Sequence, residues 1–222
     1  MIHAFLRTSC FFTAMLSFIT LLLLAVDVPA VEANVSKRIV FIGDSITAGY
    51  GLKKEQAYPK LIESLAMAKK IQVTIVNAGL SGDTTSGGLR RLRILIKKPA
   101  DVFVIALGGN DGLRGLPPKV SGANLSAMVD LIQKPQPSAK ILLIGMQMPQ
   151  NMGVEYTEQF RKTFAKVAKS KNVVHLPFLL KGVAGKAELN LPDRIHPNAE
   201  GQKVVAQHVF TTLLAMLTNQ TP

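Results

Sequence analysis

The chain has no tryptophan, one cysteine and few aromatic residues of any kind, 6% in all. Each scarcity excludes something. A lone cysteine, Cys10, cannot support a disulfide framework or a thiolate metal site, so the core must stabilise the fold unaided. Sparse aromatics that do not interleave with basic residues leave no stacking platform for single-stranded nucleic acid. Acid is scarce as well, with 14 Asp and Glu against 26 Lys and Arg and a formal net charge of +12. The cations are spread along the chain. The surplus is therefore read as solubility, and an anionic membrane surface, not nucleic acid, is the polyanion it would meet transiently.

Hydrophobic residues are not scarce. They make up 48% of the 222 residues, enough for a sizeable single core. The first 33 positions do not read as part of it. Met1 to Thr8 carry His3 and Arg7 and no acid, Cys10 to Val26 is uncharged and rich in Phe and Leu, and the small residues Ala30 and Ala33 follow. This is the order of a secretory signal peptide, cleaved after Ala33 or, alternatively, after Ala30. The competing reading is an uncleaved anchor helix, because the apolar run is about the shortest that spans a bilayer. Residues 34–222 are then one exported domain, free of cysteine.

From Arg38 onward strand-like and helix-like segments alternate. Strands are predicted at Arg38–Ile42, Ile71–Val76, Asp101–Leu107, Lys140–Met146 and Asn172–Leu176. Helices are predicted at Glu55–Lys69, Thr84–Lys97, Ser121–Gln133, Tyr156–Ser170 and Asn198–Leu217. Asn77-Ala78-Gly79 is expected to break the second strand, and Gly108-Gly109 the third. Near-continuous apolar strands such as Val102–Leu107 fit a parallel sheet covered on both faces. The fold class is therefore α/β, one doubly wound domain of about five strands.

In such sheets, sites form beyond the carboxyl ends of the strands. There the sequence places Gly43-Asp44-Ser45 after the first strand and Asn77 to Thr84 after the second. Gly108-Gly109-Asn110-Asp111-Gly112 follows the third, and Asp193-Arg194-Ile195-His196-Pro197 precedes the last helix. Each alone is an ordinary turn or helix cap. Together they supply a nucleophile, Ser45, and a base, His196. Asp193, three residues earlier, can hold the imidazole in the useful tautomer. The backbone N–H groups of Ser45 and Gly82 and the side-chain amide of Asn110 can hold an oxyanion. Asp44, Asp83 and Asp111 are read as supporting, turn-forming residues.

These four blocks resemble the SGNH (GDSL) hydrolases, whose Ser, Gly, Asn and His correspond to Ser45, Gly82, Asn110 and His196. The resemblance runs from about Ile39 to His208. It is closest to the thioesterase and lysophospholipase branch found in bacterial periplasms, through Gly43 to Tyr50, Ser81 to Thr84, Gly108 to Gly115 and Ile195 to Asn198. It implies a three-layer flavodoxin-like fold of strand order 2-1-3-4-5. It also implies metal-free hydrolysis of aryl esters, acyl thioesters or lysophospholipids by a monomer, without a cofactor. Leu113, Met146, Met148 and Met152 are candidate substrate-binding residues, since flexible thioethers suit varied acyl chains; the methionines could equally be core filler. Two alternatives remain open: a carbohydrate or cell-wall O-acetyl esterase on the same scaffold, and an exported binding protein that retains the fold.

Other chemistries lack their signatures. There is no Gly-x-Ser-x-Gly elbow, no phosphate loop and no Gly-x-Gly-x-x-Gly after a strand. Of the remaining histidines, His3 lies in the leader, and His175 and His208 fall in a strand and the closing helix with no carboxylate or cysteine beside them, so no metal site is expected.

Overall fold

The computed structural model describes residues 36–218, so the proposed leader lies outside the described residues. Five strands form one parallel sheet of order β2-β1-β3-β4-β5: β1 (Lys37–Gly43), β2 (Val73–Gly79), β3 (Val102–Ala106), β4 (Lys140–Ile144) and β5 (Val174–Leu176). Seven helices alternate with them: α1 (Ser45–Ala48), α2 (Tyr58–Ala68), α3 (Thr85–Leu95), α4 (Gly109–Leu113), α5 (Pro118–Gln133), α6 (Val154–Lys171) and α7 (Ala199–Leu217). Helices α2 and α7 pack together, and α3, α5 and α6 form a second group, so the sheet is covered on both sides. Strand β3, at its centre, is buried at every position, as its unbroken apolar run predicts. Phe41 and Phe103 from the sheet and Phe160 and Phe164 from α6 are among the largest fully buried side chains.

The predicted architecture and strand order are those observed, and the differences are local. Strand β2 runs through Asn77-Ala78-Gly79, which was expected to end it, because Gly43 of β1 pairs with Gly79. The glycine is needed for close approach: a Cβ on Gly79 would stand 2.3 Å from the backbone nitrogen of Ala48 in α1. Asn77 also belongs to this junction, donating from its amide to the Thr47 carbonyl at 2.8 Å. The glycine-rich run after β3 ends that strand, as expected, and then winds into α4 once Gly108 has taken a left-handed conformation at φ 118°. The α4 segment is a helix of five residues, too short to carry a periodicity that could be detected.

One buried amide joins the elements that carry the first block. Gln202 of α7 accepts from the Tyr58 backbone N–H at 2.8 Å and donates to the Ile46 carbonyl at 3.1 Å. It is 1% exposed, so neither backbone group has water as a substitute. Replacing Gln202 by Leu should lower unfolding free energy by about 2 kcal/mol, the cost of stranding buried polar groups, measurable as a reduced urea midpoint with unchanged slope.

Candidate active site

The four blocks meet at the carboxyl edge of the sheet. Strand β1 ends at Gly43, and the Asp44 carboxylate then accepts from the Ile46 N–H at 3.0 Å, capping α1. Ser45 is thereby set as the first residue of that helix, mostly buried, with its hydroxyl at the sheet edge. His196 Nε2 lies 2.8 Å from Ser45 Oγ, and His196 Nδ1 lies 2.7 Å from Asp193 Oδ2. A carboxylate on Nδ1 requires the proton there. Nε2 is then left with a lone pair facing the Ser45 hydroxyl, the arrangement that activates a serine.

Asp193 also organises its own turn. Its Oδ1 accepts from the backbone N–H groups of Ile195 at 2.9 Å and His196 at 3.0 Å. Partial burial works to raise its pKa, but these bonds and the His196 side chain outweigh that and bring it down to about 2. The loop is closed by the Leu191 N–H donating to the His196 carbonyl at 2.7 Å, and Asn198 caps α7 directly after it. Arg194, between the two partners, adopts a left-handed conformation at φ 61°. That conformation costs a non-glycine residue about 1–2 kcal/mol.

Two oxyanion candidates, Gly82 and Asn110, stand on segments that one hydrogen bond joins. Gly82 turns at φ 77°, and its carbonyl accepts from Arg114 at 3.0 Å. Asn110, in α4, donates one amide hydrogen to the Asp83 carbonyl at 2.9 Å, which orients its side chain and leaves the other hydrogen for a ligand. Asp111 is buried and accepts from the Thr85 N–H at 2.9 Å, the Thr85 hydroxyl at 2.5 Å and the Ser121 hydroxyl at 3.2 Å, tying α4 to α3 and α5. The three aspartates read from sequence as supporting residues thus make caps and ties.

Two contributors escaped sequence reasoning. Arg91 of α3 donates to Asp83 Oδ2 at 2.6 Å, the Ala78 carbonyl at 2.6 Å and the Gly43 carbonyl at 2.8 Å, joining the ends of β1 and β2 to the Gly82 loop. Its spacing marks only a polar helix position, and its partners come from elsewhere in the chain. The Tyr50 ring lies over the His196 imidazole, centroids 4.5 Å apart and planes tilted by 36°. Tyr50 stands in the first block, but nothing local says that its ring meets a residue so far along the sequence.

Beside Ser45 opens a cavity of ≈ 600 Å³, bounded by Ile46, Leu113, Met146, Met148, Phe178 and Leu180 among others. Three of the four substrate-contact candidates line it. Met152 does not: the short 3₁₀ turn Gln150–Met152 and Gly153, at φ 92°, carry the chain away toward α6. Met146 is nearly buried, so it belongs to both core and wall. Elsewhere, His208 Nε2 lies 3.0 Å from the Phe178 carbonyl, and His175 has a buried Nε2 with its pKa lowered by burial. Among the described residues, no group of three or more His, Cys, Asp or Glu side chains could hold a metal ion.

Burial raises the pKa of Asp44 from 3.8 to about 6, against the lowering effects of the Ile46 N–H and of His196. Its neutral form is therefore favoured by folding. The resulting stabilisation is full below 3.8 and is lost as pH rises through about 6. Asp44→Asn keeps the capping oxygen and removes the charge. Relative to the parent, its urea-derived stability should be near equal in acid and about 1–3 kcal/mol higher above pH ~6.

The fold and site have known counterparts. Residues 41–204 match the family described as GDSL-like lipase/acylhydrolase. The chain is 39% identical to the esterase TesA of Pseudomonas aeruginosa over 184 residues, covering 82% of this chain and 90% of that one. It is 35% identical to thioesterase 1/protease 1/lysophospholipase L1 of Escherichia coli strain K12 over 176 residues, covering 79% and 82%. It superimposes on a crystal structure of the psychrotrophic esterase EstA from Pseudoalteromonas sp., inhibited by monoethylphosphonate, with a TM-score of 0.77, 32% identity and coverage of 82% and 100%. A family match over most of the described fold, together with relatives aligned along nearly their whole lengths, establishes that this chain belongs to the GDSL-like lipase/acylhydrolase family.

Proposed function

We propose that the protein is an exported serine esterase that hydrolyses acyl esters and thioesters through an acyl-enzyme on Ser45. The hydrogen-bonded line from Asp193 through His196 to Ser45 Oγ, at 2.7 and 2.8 Å, carries this reading. The Ser45 oxygen bonds to the carbonyl carbon as its proton passes to His196 Nε2. Asp193, ionised down to about pH 2, stabilises the imidazolium. The N–H groups of Ser45 and Gly82 and the free amide hydrogen of Asn110 receive the oxyanion. His196 then returns its proton to the departing alcohol or thiol. Water, activated by the same base, releases the acid and restores the serine. No step calls for a metal or cofactor.

The apolar cavity beside Ser45 favours medium or long acyl chains, as in aryl esters, acyl-CoA thioesters and lysophospholipids, over the small acetyl group of a sugar O-acetyl esterase. The protein acts as a monomer, and its positive charge favours transient contact with an anionic membrane. Residues 1–33 direct export to the periplasm or beyond and are then removed.

Ser45→Ala and His196→Ala should each lower turnover by about 10³-fold or more. Hydrolysis of p-nitrophenyl esters from acetyl to palmitoyl should peak at medium or long chains and vanish in Ser45→Ala. A sharp acetyl optimum would move the assignment to the O-acetyl esterase. Persistence of activity in Ser45→Ala would overturn the mechanism, and absence of Ser45-dependent activity on every chain would favour the binding protein. N-terminal sequencing of the protein recovered outside the cytoplasm should begin at Asn34, or at Val31 if the earlier site is cut; an intact Met1 would identify an uncleaved anchor.

A further inference from the structure

The geometry points to Arg194 as the residue that reads a phosphate on the leaving group of the substrate. This inference rests on the esterase assignment above and adds the residue that would select phosphate-bearing esters among those it allows.

Among the described residues, three non-glycine residues have a left-handed backbone: Lys70, Asn172 and Arg194. The first two stand at the ends of α2 and α6, where that conformation closes a helix. Arg194 ends no helix. It sits in the turn between Asp193 and His196, where glycine would be free of strain and a long side chain is not. Strain retained beside a reacting centre points to a use for the side chain.

The surroundings indicate that use. Arg194 is solvent-exposed yet lines the cavity beside Ser45, which places it at the rim. It is the only charged residue in that lining. Among the described residues no carboxylate pairs with it, and the Asp193 oxygens are committed to His196 and Ile195. Gln147 and Gln150 also line the cavity and carry neutral amide donors. A guanidinium presents a planar fork of N–H groups that matches a phosphate.

The direction follows from the chemistry. His196 delivers its proton to the leaving oxygen or sulfur, so the leaving group must rest against the loop that carries His196. Arg194 is two residues earlier on that loop. With the acyl chain in the apolar cavity, the rim guanidinium faces what emerges. A leaving group bearing phosphate, the glycerophosphate of a lysophospholipid or the nucleotide of a CoA thioester, completes the site.

The test compares esters of one acyl chain. The kcat/KM of the purified protein is measured on monolauroylglycerol, lauroyl lysophosphatidylglycerol and lauroyl-CoA, for the parent, Arg194→Gln and Arg194→Lys. Arg194→Gln should lose about tenfold on a phosphate-bearing substrate relative to the neutral ester, in line with one charge-assisted hydrogen bond at an exposed rim. Arg194→Lys should recover most of that ratio, and high salt should shrink it in the parent. Loss on both phosphate substrates assigns the site to phosphate itself; loss on one alone identifies the lipid head group or the nucleotide as the source. An unchanged ratio, or an equal loss on the neutral ester, overturns the inference. A parent inactive on all three would instead defeat the esterase assignment. Arg194→Gly, which relieves the backbone, should melt no lower than the parent, separating folding from recognition.

Discussion

At the carboxyl edge of the sheet one guanidinium bonds to three stretches of chain. Arg91 reaches from α3 to the Gly43 carbonyl at the end of β1, to the Ala78 carbonyl one residue before the end of β2, and to the carboxylate of Asp83. The Gly43 carbonyl also accepts from the Leu80 N–H at 3.0 Å, so the guanidinium adds a second bond there, and backbone carbonyls withdrawn from water need such partners. Satisfying them from a single rigid fork fixes the exit of β1 into Asp44 and Ser45 relative to the Gly82 loop. The proposed nucleophile and one oxyanion candidate thus share an anchor. Asp111 does the corresponding work for Asn110, through Thr85 and Ser121.

Much of this was legible in the sequence because it depends on patterns local to each element. Unbroken apolar runs marked the central strands, and punctuation by Gly, Asn and Asp marked their ends. Four such ends carrying complementary chemistry singled out Ser45, Gly82, Asn110, Asp193 and His196. What was not legible is what the fold creates. Arg91 reads as one polar position on a helix, and Tyr50 as one exposed aromatic in a turn; their partners lie far away in sequence. Asn77-Ala78-Gly79 reads as a turn because its residues favour turns, whereas here the glycine lets α1 press against β2. Met152 reads as a continuation of the wall begun by Met146 and Met148, and the 3₁₀ turn removes it.

The aspartates around the site show how burial and hydrogen bonding divide one residue type into separate tasks. Asp44 is enclosed at the end of β1, and loss of water is the larger influence, so its charge is resisted. Asp193 is partly open, receives three hydrogen bonds and keeps its charge. The carboxylate that would balance an imidazolium in the proposed mechanism is therefore the one placed where ionisation is easy. In a strongly cationic protein this assignment is local, made by bonds of under 3.1 Å and not by the overall field.

Because Asp193 binds the backbone of Ile195 and His196 as well as the imidazole, the base and its orienting acid form a single stiff turn. The nucleophile belongs to a different body, clamped to the sheet. Between the two runs the 2.8 Å approach of His196 to Ser45, overlaid by the Tyr50 ring and supported at a distance by Gln202. If Ser45 and His196 act as proposed, loss of that 2.8 Å contact would break the proton path while every helix and strand stayed in place. Catalytic competence is in this sense a far finer gauge of the molecule's integrity than its secondary structure.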